Sequence, residues 1–271
     1  MRTRGTRAVP LVECRSMPAR SLAPLATLAG AIIGSFLNVV IVRLPRNESF
    51  VVSRSHCRAC GAELHWFDNI PVVSFLALHG RCRACGAAIS WRYPIVEAGT
   101  AALFALAAWR GGALIDLVVA CVFLSALVAI AGIDLEHQII PDRITVPGVV
   151  MGFLSSFLGT RVSWLDSLLG ITLGGGILFA VIVLSGGGMG GGDMKLGAMM
   201  GAFLGYKLAL LSLFVSVIFG GLVAVALLST GIRRRKDPIP FGPFLAVGGA
   251  LAMLWGEAVL RWYLNVFSPA A

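Results

Sequence analysis

ALIDLVVACVFLSALVAIAGI, residues 113–133, runs directly into Asp134-Leu-Glu-His-Gln-Ile-Ile-Pro-Asp142. The first part holds one charged residue, Asp116, in 21 positions. A membrane helix needs about 20 mostly apolar residues, because the hydrocarbon core is roughly 30 Å thick. This stretch meets that requirement, and its polar sequel marks where the chain leaves the bilayer. Seven more stretches read the same way: 22–42, 94–109, 144–158, 165–184, 194–205, 208–228 and 241–260. The stretch 194–205 is short and 144–158 marginal. Only Tyr206-Lys207 separates the sixth span from the seventh, and one continuous helix there would invert every later side assignment. Lipid tolerates no unpaired backbone groups and no strand alternation is present, so all spans read as helices. The expected fold is an all-α polytopic membrane protein of about eight transmembrane helices.

Composition agrees. The chain has 271 residues, 58% hydrophobic and 13% charged, with a mean hydropathy of +0.88. A soluble domain carries about 25% charged residues, so a soluble globular enzyme and a disordered chain are both excluded. The net charge of +9 does not indicate a nucleic-acid partner, because most basic residues sit in loops beside apolar spans. Six cysteines are too few and too unevenly placed for a disulfide-stapled secreted fold.

With eight spans, the stretches 43–93, 134–143, 185–195 and 229–240 are separated by two crossings each and share one face. They hold 13 of the 22 Lys and Arg, whereas the opposite loops and C-terminal tail hold Arg110, Arg161, Lys207 and Arg261. The positive-inside rule makes the shared face cytoplasmic. Arg2, Arg4, Arg7, Arg15 and Arg20 disagree, since they fall on the other side. Either the later loops outvote them, or translation starts at Met17 and only Arg20 remains. The basic tail and the apolar stretch after it resemble a signal anchor more than a cleavable signal peptide.

The loop 43–93 contains Cys57-Arg-Ala-Cys60-Gly61 and Cys82-Arg-Ala-Cys85-Gly86. Two such knuckles can set four thiolates around Zn²⁺ at about 2.3 Å. The 21 residues between the pairs lie just beyond the usual spacing. In a reducing cytoplasm paired knuckles favour metal over disulfide, which leaves redox pairs or idle thiols as the weaker readings. A closed four-sulfur site is structural, and in so short a loop the metal supplies much of the folding energy. Cys14 and Cys121 have no such partner in the sequence; Cys121 reads as a small hydrophobe within a span. His56, His65 and His79 are substitute ligands of lower rank.

Ionisable groups beside membrane helices are costly and therefore candidates for function. Asp134 closes span three. Asp193 ends the glycine run Gly186-Gly-Gly-Met-Gly-Gly-Gly192 and opens span six. Both fall at similar depth on the shared face. Two facing carboxylates cannot easily both ionise, so they share a proton, which is the acid–base pair that activates water and protonates a leaving amide. The structural alternatives are a helix N-cap for Asp193 and an interfacial turn for Asp134. Charge pattern alone leaves these open. The glycine run lacks the Gly-Lys-Ser/Thr ending of a nucleotide loop. It either lets a substrate strand approach Asp193 or is a flexible linker. No mid-span charge forms an ion path, which weakens a transporter or channel reading.

Together these residues resemble the bifunctional type IV prepilin leader peptidases, aspartyl membrane peptidases of the GxGD type that also carry N-methyltransferase activity. The resemblance covers roughly 30–250. It rests on Gly34-Ser-Phe-Leu-Asn-Val-Val-Ile-Val-Arg-Leu-Pro45 and on the knuckles bracketing Asn69-Ile-Pro71. Tyr93-Pro-Ile-Val-Glu97, Asp134 with Ile140-Pro-Asp142, and Gly190-x-Gly-Asp193-x-Lys195 complete it. It implies cleavage of the basic leader of prepilins or pseudopilins, after a glycine, at the cytoplasmic face of the bacterial inner membrane. Asp134 and Asp193 would be catalytic, and S-adenosylmethionine would methylate the new amino terminus. Cys57, Cys60, Cys82 and Cys85 would be the zinc ligands. The implied division is 1–42 as tail and first helix, 43–93 as zinc insert, and 94–271 as the transmembrane peptidase domain. Such enzymes serve type IV pili or type II secretion. The partners are then the substrate and the lipid bilayer.

Glu136, Asp142 and Asp193 are expected to offset the basic face where a basic leader arrives. No soluble-type dinucleotide fingerprint is present, so the cofactor site belongs to the insert and adjoining helix ends. Asn38, Arg43, Asn69, Tyr93 and Glu97 match family positions, but packing, snorkelling and turn roles are preferred for them on this chain alone. Glu97 needs a partner, and Glu257 is expected to pair with Arg261 one turn away. The competing readings are a monofunctional peptidase with a scaffold insert, and a transporter with a zinc-binding loop.

Overall fold

The computed structural model describes residues 19–48, 56–57, 59–63, 65–186, 188–231 and 239–267. Arg2, Arg4, Arg7, Arg15, Cys14 and the two candidate start sites lie outside them, while Arg20 lies within and donates to the Trp109 carbonyl at 3.0 Å. The helices are α1 (Ala23–Arg43), α2 (Val73–Ala77), α3 (Arg92–Arg110), α4 (Leu114–His137), α5 (Asp142–Ser155), α6 (Trp164–Leu184), α7 (Gly191–Ser229) and α8 (Gly242–Phe267). Among the described residues there are no strands, only the isolated bridges His56–Glu63 and Arg81–Ala88.

Five helical segments are long and apolar enough to cross a membrane: Arg20–Arg46, Leu114–His137, Trp164–Leu184, Gly191–Ser229 and Gly242–Phe267. The expectation of eight spans is thus met only in part. The 19 residues of α3 carry Arg92, Glu97 and Arg110. The 14 residues of α5 rise only about 21 Å, short of the hydrocarbon thickness. The sixth and seventh expected spans are joined in the 39-residue α7.

Yet α7 is no straight rod. Gly205 has φ 71° and ψ 169°, a conformation only glycine adopts readily, and the chain reverses there. Before the break, Gly197 and Gly201 lie against Gly174 and Gly170 of α6. After it, Leu208 meets Gly256 of α8, Ser212 and Ser216 meet Gly248, and Gly220 meets Phe244. The second limb therefore runs back toward the end of α8 that holds Gly242, which touches Asp134. The turn predicted at Tyr206-Lys207 falls one residue earlier, where glycine permits it.

Lipid offers no hydrophobic drive between helices, so close packing of small residues supplies association. A Cβ on Gly201 would stand 2.0 Å from the Gly170 carbonyl oxygen, and one on Gly34 would stand 2.8 Å from Glu97 Cα. The α6–α7 and α1–α3 seams are backbone-to-backbone contacts of this kind. The main core joins Phe123, Leu127 and Ile130 of α4 to Met199, Met200 and Phe203 of α7, with Leu245 of α8.

Candidate active site and metal cluster

The last turn of α4 carries Asp134. Gln138 ends that helix in the left-handed region (φ 54°), its amide bonding the Asp134 carbonyl at 2.9 Å, and Pro141 then starts α5. Asp193 lies in the first turn of α7, where the N-cap is Gly190. Asp193 is therefore not the cap; three residues inside, its carboxylate bonds back to the Gly190 backbone, the reach-back half of a capping box.

The two residues are 5% and 8% exposed. They line one cavity of about 510 Å³, whose apolar walls include Ile139, Ile140, Met189 and Phe241. That volume suits a small-molecule or peptide site. Gly188, Gly190 and Gly192 of the glycine run also line it, which gives the run a place beside Asp193 rather than a linker's.

A third participant escaped the sequence. The Gly242 amide, 108 residues downstream, donates to Asp134 Oδ2 at 2.9 Å. A Cβ at this glycine would lie 2.6 Å from that oxygen. The available signal was Gly242-Pro243 at the start of the last span, a frequent helix opening.

Each aspartate is followed two residues later by an ion pair to a neighbouring helix. Glu136 pairs with Arg92 of α3, and Lys195 with Asp142 of α5 at 2.6 Å. Partly exposed pairs contribute little stability, but they already answer the charges of Glu136 and Asp142, which weakens both as receivers of a basic leader.

In the insert, the Sγ atoms of Cys57, Cys60, Cys82 and Cys85 lie within 4.8 Å of one another, and Cys57 and Cys85 are 3.9 Å apart. Sulfurs around tetrahedral zinc sit about 3.8 Å apart if each bond is about 2.3 Å, so the cluster fits that ion. The knuckles repeat one design. Gly61 and Gly86 amides bond Cys57 and Cys82 carbonyls at 2.8 and 2.9 Å, while Cys57 and Cys82 amides bond Ala62 and Ala87 carbonyls at 2.9 and 2.8 Å. Hydrogen bonds from the Cys60 and Ala59 backbone lower the Cys57 thiol to about 6, whereas Cys85, though the Ala87 backbone lowers it, is raised to about 11 by the neighbouring Cys60 and by burial. No histidine belongs to the cluster among the described residues. Arg83 joins the second knuckle to Asp68 through contacts of 3.1 and 2.9 Å.

A second polar centre lies between α1, α3 and the insert. The Asn38 amide group donates to the Tyr93 carbonyl at 3.1 Å. Glu97, 7% exposed, accepts the Val72 amide at 2.7 Å, and Ser35 also bonds it. This is the partner Glu97 requires, and it is a backbone group. Val72 has φ 62°, an outlier for a β-branched residue that costs about 1–3 kcal/mol and persists only where its surroundings impose it. Asn69 is exposed in a short 3-10 turn and stands outside this centre. At the opposite end of the bundle, Glu257 meets Arg261 at 3.9 Å as expected, and also Arg161 at 3.8 Å.

Residues 28–111 match the bacterial Peptidase A24 N-terminal domain, and residues 121–225 the type IV leader peptidase family. A protein of Pseudomonas putida is 37% identical over 262 residues, covering 87% of this chain and 91% of its own. One of Pseudomonas aeruginosa is 34% identical over 285 residues, covering 95% and 98%. One of Bacillus subtilis is 36% identical over 237 residues, covering 88% and 96%. All three are named prepilin leader peptidase/N-methyltransferase. No solved structure matches.

Proposed function

Since the chain belongs to the prepilin leader peptidase/N-methyltransferase family, we propose that it is a membrane enzyme that removes the leader of a prepilin or pseudopilin at Asp134 and Asp193. It then methylates the amino terminus that cleavage exposes. The observation that carries the site is the pair of buried carboxylates on one cavity. One aspartate takes a proton from water as the water oxygen bonds to the scissile carbonyl carbon. The other gives a proton to the amide nitrogen as the carbon–nitrogen bond breaks. The leader leaves as an acid and the pilin as a free amine. Hydrolysis needs nothing further, which suits a dyad held on rigid helix ends.

The face bearing both aspartates is read as cytoplasmic, because the sequence assigns to it the stretches richest in Lys and Arg, in the inner membrane of a bacterium. The insert 43–93 sits between the first helix unit 1–42 and the peptidase part 94–271. Cys57, Cys60, Cys82 and Cys85 hold zinc as a structural ion, and S-adenosylmethionine, when bound, supplies the methyl group. Purified protein incubated with one prepilin and the cofactor should give a product whose intact mass has lost the leader and gained one methyl group. Unchanged substrate mass would reject the reading. Cys82→Ser should empty the metal site: elemental analysis is expected to find less than half the wild-type zinc, and unaltered zinc content would reject the four-cysteine assignment.

A further inference from the structure

A second cavity, of about 340 Å³, opens at the end of the bundle away from the aspartates. Asp116 lines it, and Asp116 stands 18 residues before Asp134 on α4. That separation is about 27 Å at about 1.5 Å per residue, close to the roughly 30 Å of the hydrocarbon core. Exposed aromatic rings mark the same end. Trp109 lies in the last turn of α3, Trp164 opens α6, and Trp262 and Tyr263 lie near the end of α8. Trp and Tyr collect where lipid meets water. The cavity therefore sits at the membrane boundary opposite the one that holds the dyad.

Charge gathers there. Of the four cations in the opposite loops and C-terminal tail, Arg110, Arg161 and Lys207 line the cavity. They arrive from the end of α3, the α5–α6 loop and the turn in α7. The fourth, Arg261, meets Glu257 of the wall at 3.9 Å. The acids of the wall are already engaged. Arg161 meets Asp116 at 3.5 Å and Glu257 at 3.8 Å, and Asp166 accepts from the Ser163 hydroxyl at 2.7 Å. Arg110 and Lys207 pair with no carboxylate among the described residues; Lys207 lies 5.6 Å from the centroid of the Tyr206 ring. Snorkelling accounts for one such cation on its own. It does not account for two on one cavity whose remaining wall includes Leu208, Met253, Leu254 and Leu260. Unanswered positive charge beside an apolar wall, at this depth, matches an anion that carries a hydrocarbon tail.

We propose that this cavity holds the phosphate headgroup of a membrane phospholipid, with Arg110 and Lys207 on the phosphate oxygens and the start of an acyl chain against Leu208, Met253 and Leu260. The volume lies within the range of about 300–1,000 Å³ that suits small ligands. The site is separate from the peptidase reading, since neither Asp134 nor Asp193 lines it.

Native mass spectrometry of the full chain in detergent tests it. The probe is dioleoylphosphatidylglycerol, and the comparison is dioleoylglycerol, which has the same chains and no phosphate. Wild type is expected to retain one phosphatidylglycerol and to bind dioleoylglycerol far more weakly. Arg110→Gln and Lys207→Gln should each weaken retention about fivefold, the effect of one cation at a membrane surface, and the double variant by more than either. Both residues are exposed, and circular dichroism with the thermal midpoint checks folding; the single variants carry the test if the double one does not fold. Arg143→Gln on α5, at the dyad end, removes the same charge elsewhere and should retain the lipid like wild type. Inorganic phosphate, added alone, identifies a site for the bare anion. Phosphate retained without lipid, dioleoylglycerol held as tightly as the phospholipid, equal loss in Arg143→Gln, or wild-type retention in the folded variants would each overturn the proposal.

Discussion

Asp134→Asn and Asp193→Asn are each expected to lower kcat/KM for leader cleavage by about 10³-fold or more, within the range spanned by losing a general acid or base. Asparagine keeps the size of aspartate. At position 134 it still presents an oxygen to the Gly242 amide, which now lies 2.9 Å from Asp134 Oδ2. What it loses is the capacity to take or give a proton. The double variant should be little worse than either single one, because groups that act as a unit are not additive. Cleavage measured by gel shift of a prepilin decides the matter, with helical content and bound metal as checks on folding. A second readout separates the two activities: methylation of a peptide supplied already cleaved should continue in both variants, since the cysteine cluster of the insert is built from other residues. Either variant cleaving within about tenfold of wild type, a difference of only about 1.4 kcal/mol in the barrier, would remove that aspartate from the reaction.

The parts legible in the sequence are those whose chemistry resides in side chains at fixed spacing. Cys57, Cys60, Cys82 and Cys85 announce a cluster because thiols in two knuckles have few other uses, and the Sγ atoms do meet. Asp134 and Asp193 stand out because acids are scarce at span ends, and they line one cavity. The parts that stayed illegible are carried by the backbone. Glu97 announces its need for a partner, but nothing identifies that partner as the Val72 amide across the insert. The Tyr93 carbonyl that Asn38 meets is equally silent. Hydropathy is also a coarse ruler for topology. It scores α3 by its apolar middle and overlooks Arg92, Glu97 and Arg110. It also locates the α7 reversal by the polar Tyr206-Lys207, although the torsion that makes the turn belongs to Gly205.

Gly242 is the most consequential of these backbone contributions, and it yields the second large effect. Gly242→Ala places a methyl group 2.6 Å from Asp134 Oδ2, 3.0 Å from its Cγ and 3.2 Å from its Cβ. The obstructed atoms are those of the aspartate itself, so relief must come from moving that carboxylate or the start of α8. Either movement stretches the 2.9 Å hydrogen bond that fixes it. Misplacing a reacting group by about 1 Å costs on the order of 10²-fold in rate, and kcat should fall by that amount. KM should change far less, because the clash lies with Asp134 rather than with a surface that grips the prepilin. The helical backbone at this position suits alanine, so the effect acts through space and not through conformation. Gly221→Ala, where an added Cβ meets nothing within 4 Å, is the matched control and should cleave like wild type. If Gly242→Ala kept kcat within about threefold of wild type, less than 1 kcal/mol in the barrier, the glycine would be a neighbour of Asp134 and not the group that positions it.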